Sequence, residues 1–98
     1  MEHKLEQLKH VSNIKEVNKR SKFIYGTHVL PSTRKDKKYM IKNDEGKYIH
    51  FGSINYQDYT YHNNEARRMS YLKRARNIRG NWKDNPYSPN NLSIHLLW

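Results

Sequence analysis

The chain has 98 residues, enough for one small domain with a single modest core and too few for two. It contains no cysteine, which excludes disulfide bonds and cysteine-ligated zinc sites. Lysine and arginine number 19 against nine acidic residues, and the resulting net charge of +10 indicates attraction to polyanions such as nucleic acid or an acidic protein surface. High net charge also aids solubility, so a surface that only keeps the protein in solution remains an alternative.

The remaining composition favours a folded protein outside the membrane. Eight tyrosines, two tryptophans and two phenylalanines are too many aromatic residues for a typical disordered chain. We find no apolar run long enough for a signal sequence or a membrane span. We therefore expect a soluble protein with no membrane span.

Apolar residues recur at every third position from Leu5 to Val17, which predicts an amphipathic helix over about residues 3–19. Residues 23–25 and 29–30 favour a short extended segment, interrupted by Gly26 and ended by Pro31. The following run, STRKDKK, predicts an exposed basic loop. We accordingly divide the chain into residues 1–36, a helix and basic linker with partial flexibility, and residues 37–98, a compact core domain.

The strongest local signal lies in residues 37–52, KKYMIKNDEGKYIHFG. Two β-prone runs, 39–42 and 47–51, flank Asn-Asp-Glu-Gly. A type I turn followed by Gly46 at positive φ would join them as an antiparallel hairpin, and a third strand could be added. Alternation along the strands then places Tyr39, Ile41, Ile49 and Phe51 on one face, as a floor for the core.

A basic helix is predicted next, within residues 62–82, HNNEARRMSYLKRARNIRGNW, which carry six lysines or arginines and one acid, Glu65. Residues 60–64 offer several side chains that can cap the start of this helix. The helix is expected to end at Ile78 or Arg79, before Gly80. At about 100° per residue, one half is apolar: Met69, Tyr71, Leu72, Ala75 and Ile78. The other half is mostly basic and polar.

We interpret this helix as a polyanion-binding surface. The candidate nucleic-acid-binding residues are Arg67, Arg68, Lys73, Arg74, Arg76, Arg79 and Lys83. Aromatic side chains that could stack on unpaired bases are Tyr56, Tyr59, Tyr61 and Trp82, although tyrosines beside a small hairpin more often pack in or around the core, and we favour that role for them. The alternative for the helix is a solvated face on which Arg68 and Arg76 pair with acids such as Asp58 or Glu65.

Catalytic and metal-binding patterns are weak. The six histidines lack the short paired spacings of metal ligands, and only His50, Asp58 and His62 suggest a conceivable site. There is no glycine-rich phosphate loop, serine elbow or close carboxylate pair. We therefore expect neither an enzyme nor a cofactor.

The C-terminal residues predict a short helix, opened by Ser88 as N-cap and Pro89 at its first position. The apolar end of this segment, Leu96, Leu97 and Trp98, either packs into the core or forms a protein interface.

Several short motifs in the last two-thirds of the chain resemble a known family. They are His50-Phe51-Gly52, Tyr56-x-Asp58-Tyr59-Thr60-x-His62, Arg67-Arg68-x-x-Tyr71-Leu72-x-Arg74, Asn81-Trp82 and Leu96-Leu97-Trp98. With them, residues 37–98 resemble a family of small basic proteins of unknown function encoded by large DNA viruses of the phycodnavirus and mimivirus kind. Members usually carry Lys-Asp where this chain has Asn63-Asn64, so an acid near the helix start is missing here. The resemblance implies a viral origin and packaging in the virus particle.

Taken together, these patterns predict a small α+β domain with an N-terminal helix, a hairpin or three-stranded sheet, a long basic helix and a short C-terminal helix. The expected core is Tyr39, Ile41, Ile49, Phe51, Met69, Leu72, Leu96 and Trp98. The expected function is non-enzymatic binding of nucleic acid, with DNA favoured, in the virion and the host cytoplasm. The alternative is a structural or minor capsid component that docks its basic helix on an acidic viral protein.

Overall fold

A computed structural model of the chain describes residues 2–98 as an α+β domain. In this part of the chain, two α-helices precede a three-stranded antiparallel sheet and three α-helices follow it. The elements are α1 Glu2–Lys9, α2 Ile14–Tyr25, β1 Leu30–Pro31, β2 Lys37–Lys42, β3 Tyr48–Ser53, α3 Tyr59–His62, α4 Glu65–Arg76 and α5 Pro89–Leu96, with a 3₁₀ turn at Trp82–Asp84. None of the helices described is long and apolar enough to cross a membrane.

The β2–β3 hairpin forms as predicted, with Gly46 at positive φ in its turn and the four predicted face residues in two cross-strand pairs. Tyr39 lies opposite Phe51, and Ile41 lies opposite Ile49. The amide of Gly46 donates to the carbonyl of Asn43, and Gly46 has a φ of 80°. Glycine suits this position because a side chain disfavours positive φ.

A third strand, β1, pairs antiparallel with β2 at the edge of the sheet. It contains only Leu30 and Pro31. Proline is tolerated there because an edge strand does not need every backbone N–H for the ladder. The predicted extended segment at residues 29–30 thus becomes the third strand, shifted by one residue.

One core joins the whole described chain. Helix α5 packs on β3 and on α2. The buried core residues are Leu8, Val17, Val29, Tyr39, Ile41, Phe51, Leu92, Leu96 and Leu97. Residues on both sides of the proposed boundary at position 36 therefore share the same core.

The single N-terminal helix predicted over residues 3–19 is wrong, because the chain forms two helices with a break between them. Hydrogen bonds to residues 58–60 stabilise the non-helical segment between the two helices. The carbonyl of Val11 accepts from the amide of Asp58 at 2.9 Å, and the amide of Asn13 donates to Thr60 Oγ1 at 3.0 Å. Asn13 then caps α2. Residues 23–25, predicted as extended, are helical and belong to α2.

The basic helix is shorter than predicted. Asn63 has a φ of 53° and ends α3, Asn64 caps α4, and α4 ends at Arg76 rather than near Gly80. Its buried face is also narrower than predicted: Leu72 and Ala75 are buried, whereas Met69, predicted in the core, is 60% exposed.

Helix α5 begins as predicted, with Ser88 as N-cap and Pro89 in its first turn. Leu96 and Leu97 are buried in the chain's own core, 0% and 1% exposed. Of the two alternatives for this segment, packing into the core is therefore the one that forms for Leu96 and Leu97, and these two side chains offer no exposed interface. Trp98 is half-buried beside them.

Candidate nucleic-acid interface

Helix α4 lies on the surface of the domain. The side chain of Asn64 accepts from the amide of Arg67 at 3.1 Å and fixes its first turn. Only Leu72 and Ala75 of this helix are buried. At the other end, Asn90 of α5 donates to the carbonyl of Ala75 at 3.0 Å. The helix is thus anchored by one narrow stripe, which leaves most of its basic side chains exposed.

A cleft of about 770 Å³ runs along one side of α4, and we call it the α4 cleft. Its other walls are the end of β3 with the following turn, and the last two residues of the chain described. Its lining includes Gly52, Tyr56, Gln57, Ala66, Arg67, Ser70, Tyr71, Arg74, Ala75, Leu97 and Trp98. Three segments that are distant in sequence therefore build one concave surface.

Two arginines, Arg67 and Arg74, give the α4 cleft its charge. They are seven residues apart, which places them on the same side of the helix and about 10 Å apart along its axis. The guanidinium of Arg67 donates to the side-chain oxygen of Gln57 at 3.2 Å. Among the ion pairs formed by residues 2–98, none involves Arg67, Lys73 or Arg74. The positive charge at the cleft is therefore uncompensated.

Aromatic rings form the inner part of the cleft. Tyr71 and Trp98 are stacked, with ring centroids 4.2 Å apart and an interplanar angle of 10°. Burial raises the pKa of Tyr71 above its ordinary value, partly offset by a hydrogen bond with Ser93. Tyr56, in contrast, is 70% exposed. The cleft thus combines a packed aromatic floor with one freely accessible ring.

A buried ion pair lies behind the cleft. Lys38 Nζ is 3.0 Å from Asp58 Oδ2, and the two side chains are 3% and 0% exposed. Burial lowers the pKa of Lys38, and the charge of Asp58 opposes that change. Asp58 also accepts a hydrogen bond from the hydroxyl of Thr60, and Tyr39 donates to Ser12 at 2.8 Å in the same region. These bonds fix the segment that leads into α3.

The other predicted basic residues lie elsewhere. Arg68 is on the opposite side of α4, where it pairs with Glu65 at 2.9 Å and donates to the main-chain oxygen of Trp98. Arg76 shares that side, in a recess that also contains Arg20. Arg79 follows the end of α4, and the ammonium of Lys83 lies 5.5 Å from the Trp82 ring. Of the seven predicted basic residues, only Arg67 and Arg74 therefore line the α4 cleft.

Of the four aromatic residues predicted to stack on bases, only Tyr56 lines the α4 cleft. Tyr59 lies under the guanidinium of Arg68, at 5.4 Å. Tyr61 lines a separate recess beside α1. The indole of Trp82 donates to the carbonyl of Ile78 at 2.6 Å.

Sequence reasoning missed Gln57, Ser70 and Tyr71 as cleft residues. Ser70 and Tyr71 are three and four residues from Arg67, so helical spacing alone could have placed them beside it. Nothing local marks Gln57, because its place in the cleft depends on how the turn after β3 packs.

The conceivable metal site does not form. Residues 2–98 contain no group of three or more histidine or carboxylate side chains that could hold a metal ion. His50 Nδ1 is instead 2.6 Å from the hydroxyl of Ser32, and Asp58 is occupied by Lys38.

Comparison with known proteins yields one match. A family model described as a family of unknown function (DUF5754) matches residues 27–75, half of the chain. The match extends from just before β1 to the last turn of α4, so it includes both arginines of the cleft. No curated protein and no solved structure matches the chain.

Proposed function

We propose that this chain, which belongs to DUF5754, a family of unknown function, is a non-enzymatic protein that binds nucleic acid without strong sequence preference. The binding surface is the exposed basic side of α4, on which Arg67 and Arg74 line the α4 cleft and Lys73 lies outside its lining. The residues that contact phosphate are Arg67, Lys73 and Arg74.

The observation that supports this proposal is the uncompensated charge of α4. All three cationic side chains are exposed, and none takes part in an ion pair within residues 2–98. Arginine and lysine that face solvent in this way bind phosphate oxygens and release counterions, which makes affinity strongly salt-dependent. Phosphate contacts carry no direct sequence information, so little sequence preference is expected.

A role in a virus particle is a further part of the proposal. It is supported by the resemblance of residues 37–98 to small basic proteins of large DNA viruses. A non-specific cationic protein of this kind would neutralise packaged nucleic acid, and it would act in the virion and in the host cytoplasm.

A second candidate function is docking on an acidic protein. The exposed face of α2 favours it, because Phe23 is 91% exposed and Ile24 is 48% exposed. Lys15, Lys19 and Lys22 line the same surface recess. Apolar side chains ringed by cations fit a partner with an apolar patch and acidic rim.

The experiment is a salt titration of binding to random-sequence duplex and single-stranded DNA, measured by fluorescence anisotropy. We compare the wild type with the double variant Arg67→Glu/Arg74→Glu. The matched control is Arg34→Glu/Lys35→Glu, which makes the same change of net charge at two exposed positions in the loop between β1 and β2. Circular dichroism confirms that each variant is folded.

We expect Arg67→Glu/Arg74→Glu to lower the affinity at least about tenfold. The slope of log affinity against log salt concentration should become shallower by about 1 to 2, because each phosphate contact contributes roughly −0.9 on duplex DNA. The loop control should lose much less. Equal losses in both variants would show that α4 is not the binding surface. No binding of DNA by the wild type at moderate salt would reject the proposal and favour docking on an acidic protein. Phe23→Ala would then test whether the exposed face of α2 is the docking surface.

A further inference from the structure

We propose that the α4 cleft receives an unpaired base, so that the preferred ligand is single-stranded nucleic acid rather than a duplex. This inference rests on the proposed function, and it adds the class of ligand and the residue that recognises it. The base stacks on Tyr56, while Arg67 and Arg74 bind the phosphates of the same strand.

The shape and lining of the cleft are the first argument. Apart from its arginines, much of its wall is apolar or aromatic, including Ala66, Tyr71, Ala75 and Leu97. A flat phosphate-binding surface has no need of such a recess. The bases of a duplex are paired and stacked inside it, whereas an unpaired base can be turned outward into an aromatic-lined cleft.

The exposure of Tyr56 is the second argument. A tyrosine ring that is 70% exposed contributes little to the core, because most of its apolar area remains in water. It lines the cleft together with Arg67 and Arg74. Aromatic rings beside cationic side chains are the usual elements of single-strand binding sites.

The packing of the cleft floor is the third argument. The Tyr71–Trp98 stack fills the floor, and Leu97 behind it is 1% exposed. At the edge, the guanidinium of Arg67 donates to Gln57 at 3.2 Å. Because the floor is already packed, binding of a base requires little reorganisation of it.

The test compares three probes of about 12 nucleotides, within the site sizes known for single-strand binding proteins: oligothymidylate, an abasic oligonucleotide of equal length, and a duplex of equal length. The abasic probe keeps the phosphates and removes the bases. The protein variants are Tyr56→Ala and Tyr56→Phe, and Tyr48→Ala is the control, since Tyr48 is a partly exposed tyrosine on the hairpin outside the cleft.

We expect the wild type to bind oligothymidylate at least roughly fivefold more tightly than the abasic probe, the smallest effect of one stacked base. Tyr56→Ala should remove most of that difference. Tyr56→Phe and Tyr48→Ala should preserve it, because both retain a ring at position 56.

Binding to the duplex as tight as binding to oligothymidylate would contradict the preference for a single strand, and two further outcomes would overturn the inference. Equal affinity for the abasic probe and oligothymidylate would show that no base is recognised, and a difference that survives Tyr56→Ala would place the recognition elsewhere. In either case, binding that remains salt-dependent and sensitive to Arg67→Glu/Arg74→Glu leaves the proposed function intact. Absence of binding to all three probes would reject the proposed function itself.

Discussion

Lys38 and Asp58 are the residues at which charge and burial are most closely linked. Each is almost completely buried, and their ion pair is extended by the hydroxyls of Thr60 and Ser12. Taking a charge out of water is costly unless a partner and further hydrogen bonds compensate for it. The pair therefore holds β2 and the segment before α3 together only while both members are present.

We predict that Lys38→Met destabilises the protein by about 3–5 kcal/mol, because it leaves the carboxylate of Asp58 buried without its partner. Urea unfolding followed by circular dichroism measures the change. Lys47→Met is the control, since Lys47 is an exposed residue beside the same hairpin, and it should change stability by less than about 0.5 kcal/mol. A similar small effect for Lys38→Met would mean that Asp58 is solvated or protonated.

This pair also shows a limit of sequence reasoning at the scale of single residues. Asp58 was a candidate partner for the arginines of the basic helix, but it pairs with Lys38. The sequence cannot distinguish Lys38 from its neighbour Lys37, since the choice is made by long-range packing. Glu65 is three residues before Arg68, so helical spacing alone predicts that the two can pair. This ion pair does form.

At the scale of elements, the last turn of the chain docks on the hairpin at Gly52. A Cβ atom built on Gly52 would lie 2.8 Å from Leu97 Cδ1 and 3.3 Å from Lys38 Cδ. Gly52 also has a φ of 78°. The position therefore combines a left-handed backbone with a close approach between β3 and the residue that follows α5.

We predict that Gly52→Ala is more destabilising than Gly46→Ala. Both glycines have φ near 80°, but a Cβ on Gly46 meets nothing within 4 Å. Gly46→Ala should cost about 1–2 kcal/mol for the backbone alone. Gly52→Ala should cost about 1–3 kcal/mol more, for the overpacked contact with Leu97. Thermal or urea unfolding of the two variants checks this, and equal losses would show that Leu97 moves away without cost.

Elements defined by local signals were predicted correctly. The hairpin depends on Asn43 to Gly46, and the start of α5 depends on Ser88 and Pro89, so neighbouring residues determine both. The break between α1 and α2 was missed because its hydrogen-bond partners, Asp58 and Thr60, are more than 40 residues away along the chain.

The buried face of the basic helix was predicted too broadly for a similar reason. Leu72 and Ala75 are buried as predicted, but packing against the rest of the domain leaves Met69 and Ile78, at the edges of the predicted apolar half, exposed. The α4 cleft as a whole could not be predicted from the sequence either. It exists because the turn after β3 and the residues after α5 meet the same side of α4.

At the scale of the whole molecule, positive charge exceeds what the ion pairs within residues 2–98 can neutralise. Three of the four pairs in that range are partly or largely exposed: Lys9–Glu6, Arg20–Glu16 and Arg68–Glu65. Exposed pairs contribute little to stability. With a net charge of +10, repulsion between cations should oppose folding of the free protein.

We predict that salt has opposite effects on folding and on nucleic-acid binding. Raising sodium chloride from about 0.1 M to about 1 M shortens the screening length from roughly 10 Å to roughly 3 Å. The melting temperature of the free protein should rise by several degrees, which corresponds to about 1 kcal/mol in a domain of this size. Affinity for DNA should fall over the same range, because the release of counterions on binding is less favourable at a high salt concentration.

The variant Arg67→Glu/Arg74→Glu separates repulsion from general effects of salt on the protein. It lowers the net charge by four, so its melting temperature should rise less with salt than that of the wild type, as measured by circular dichroism. General salt effects are common to both proteins and cancel in the comparison. Equal rises in melting temperature would show that the cations of α4 are too well solvated to repel one another. A fall in the melting temperature of the wild type with salt would show that attractive ion pairs outweigh repulsion. The predicted result would link the two properties of α4: the charges that destabilise the free protein are those that bind phosphate.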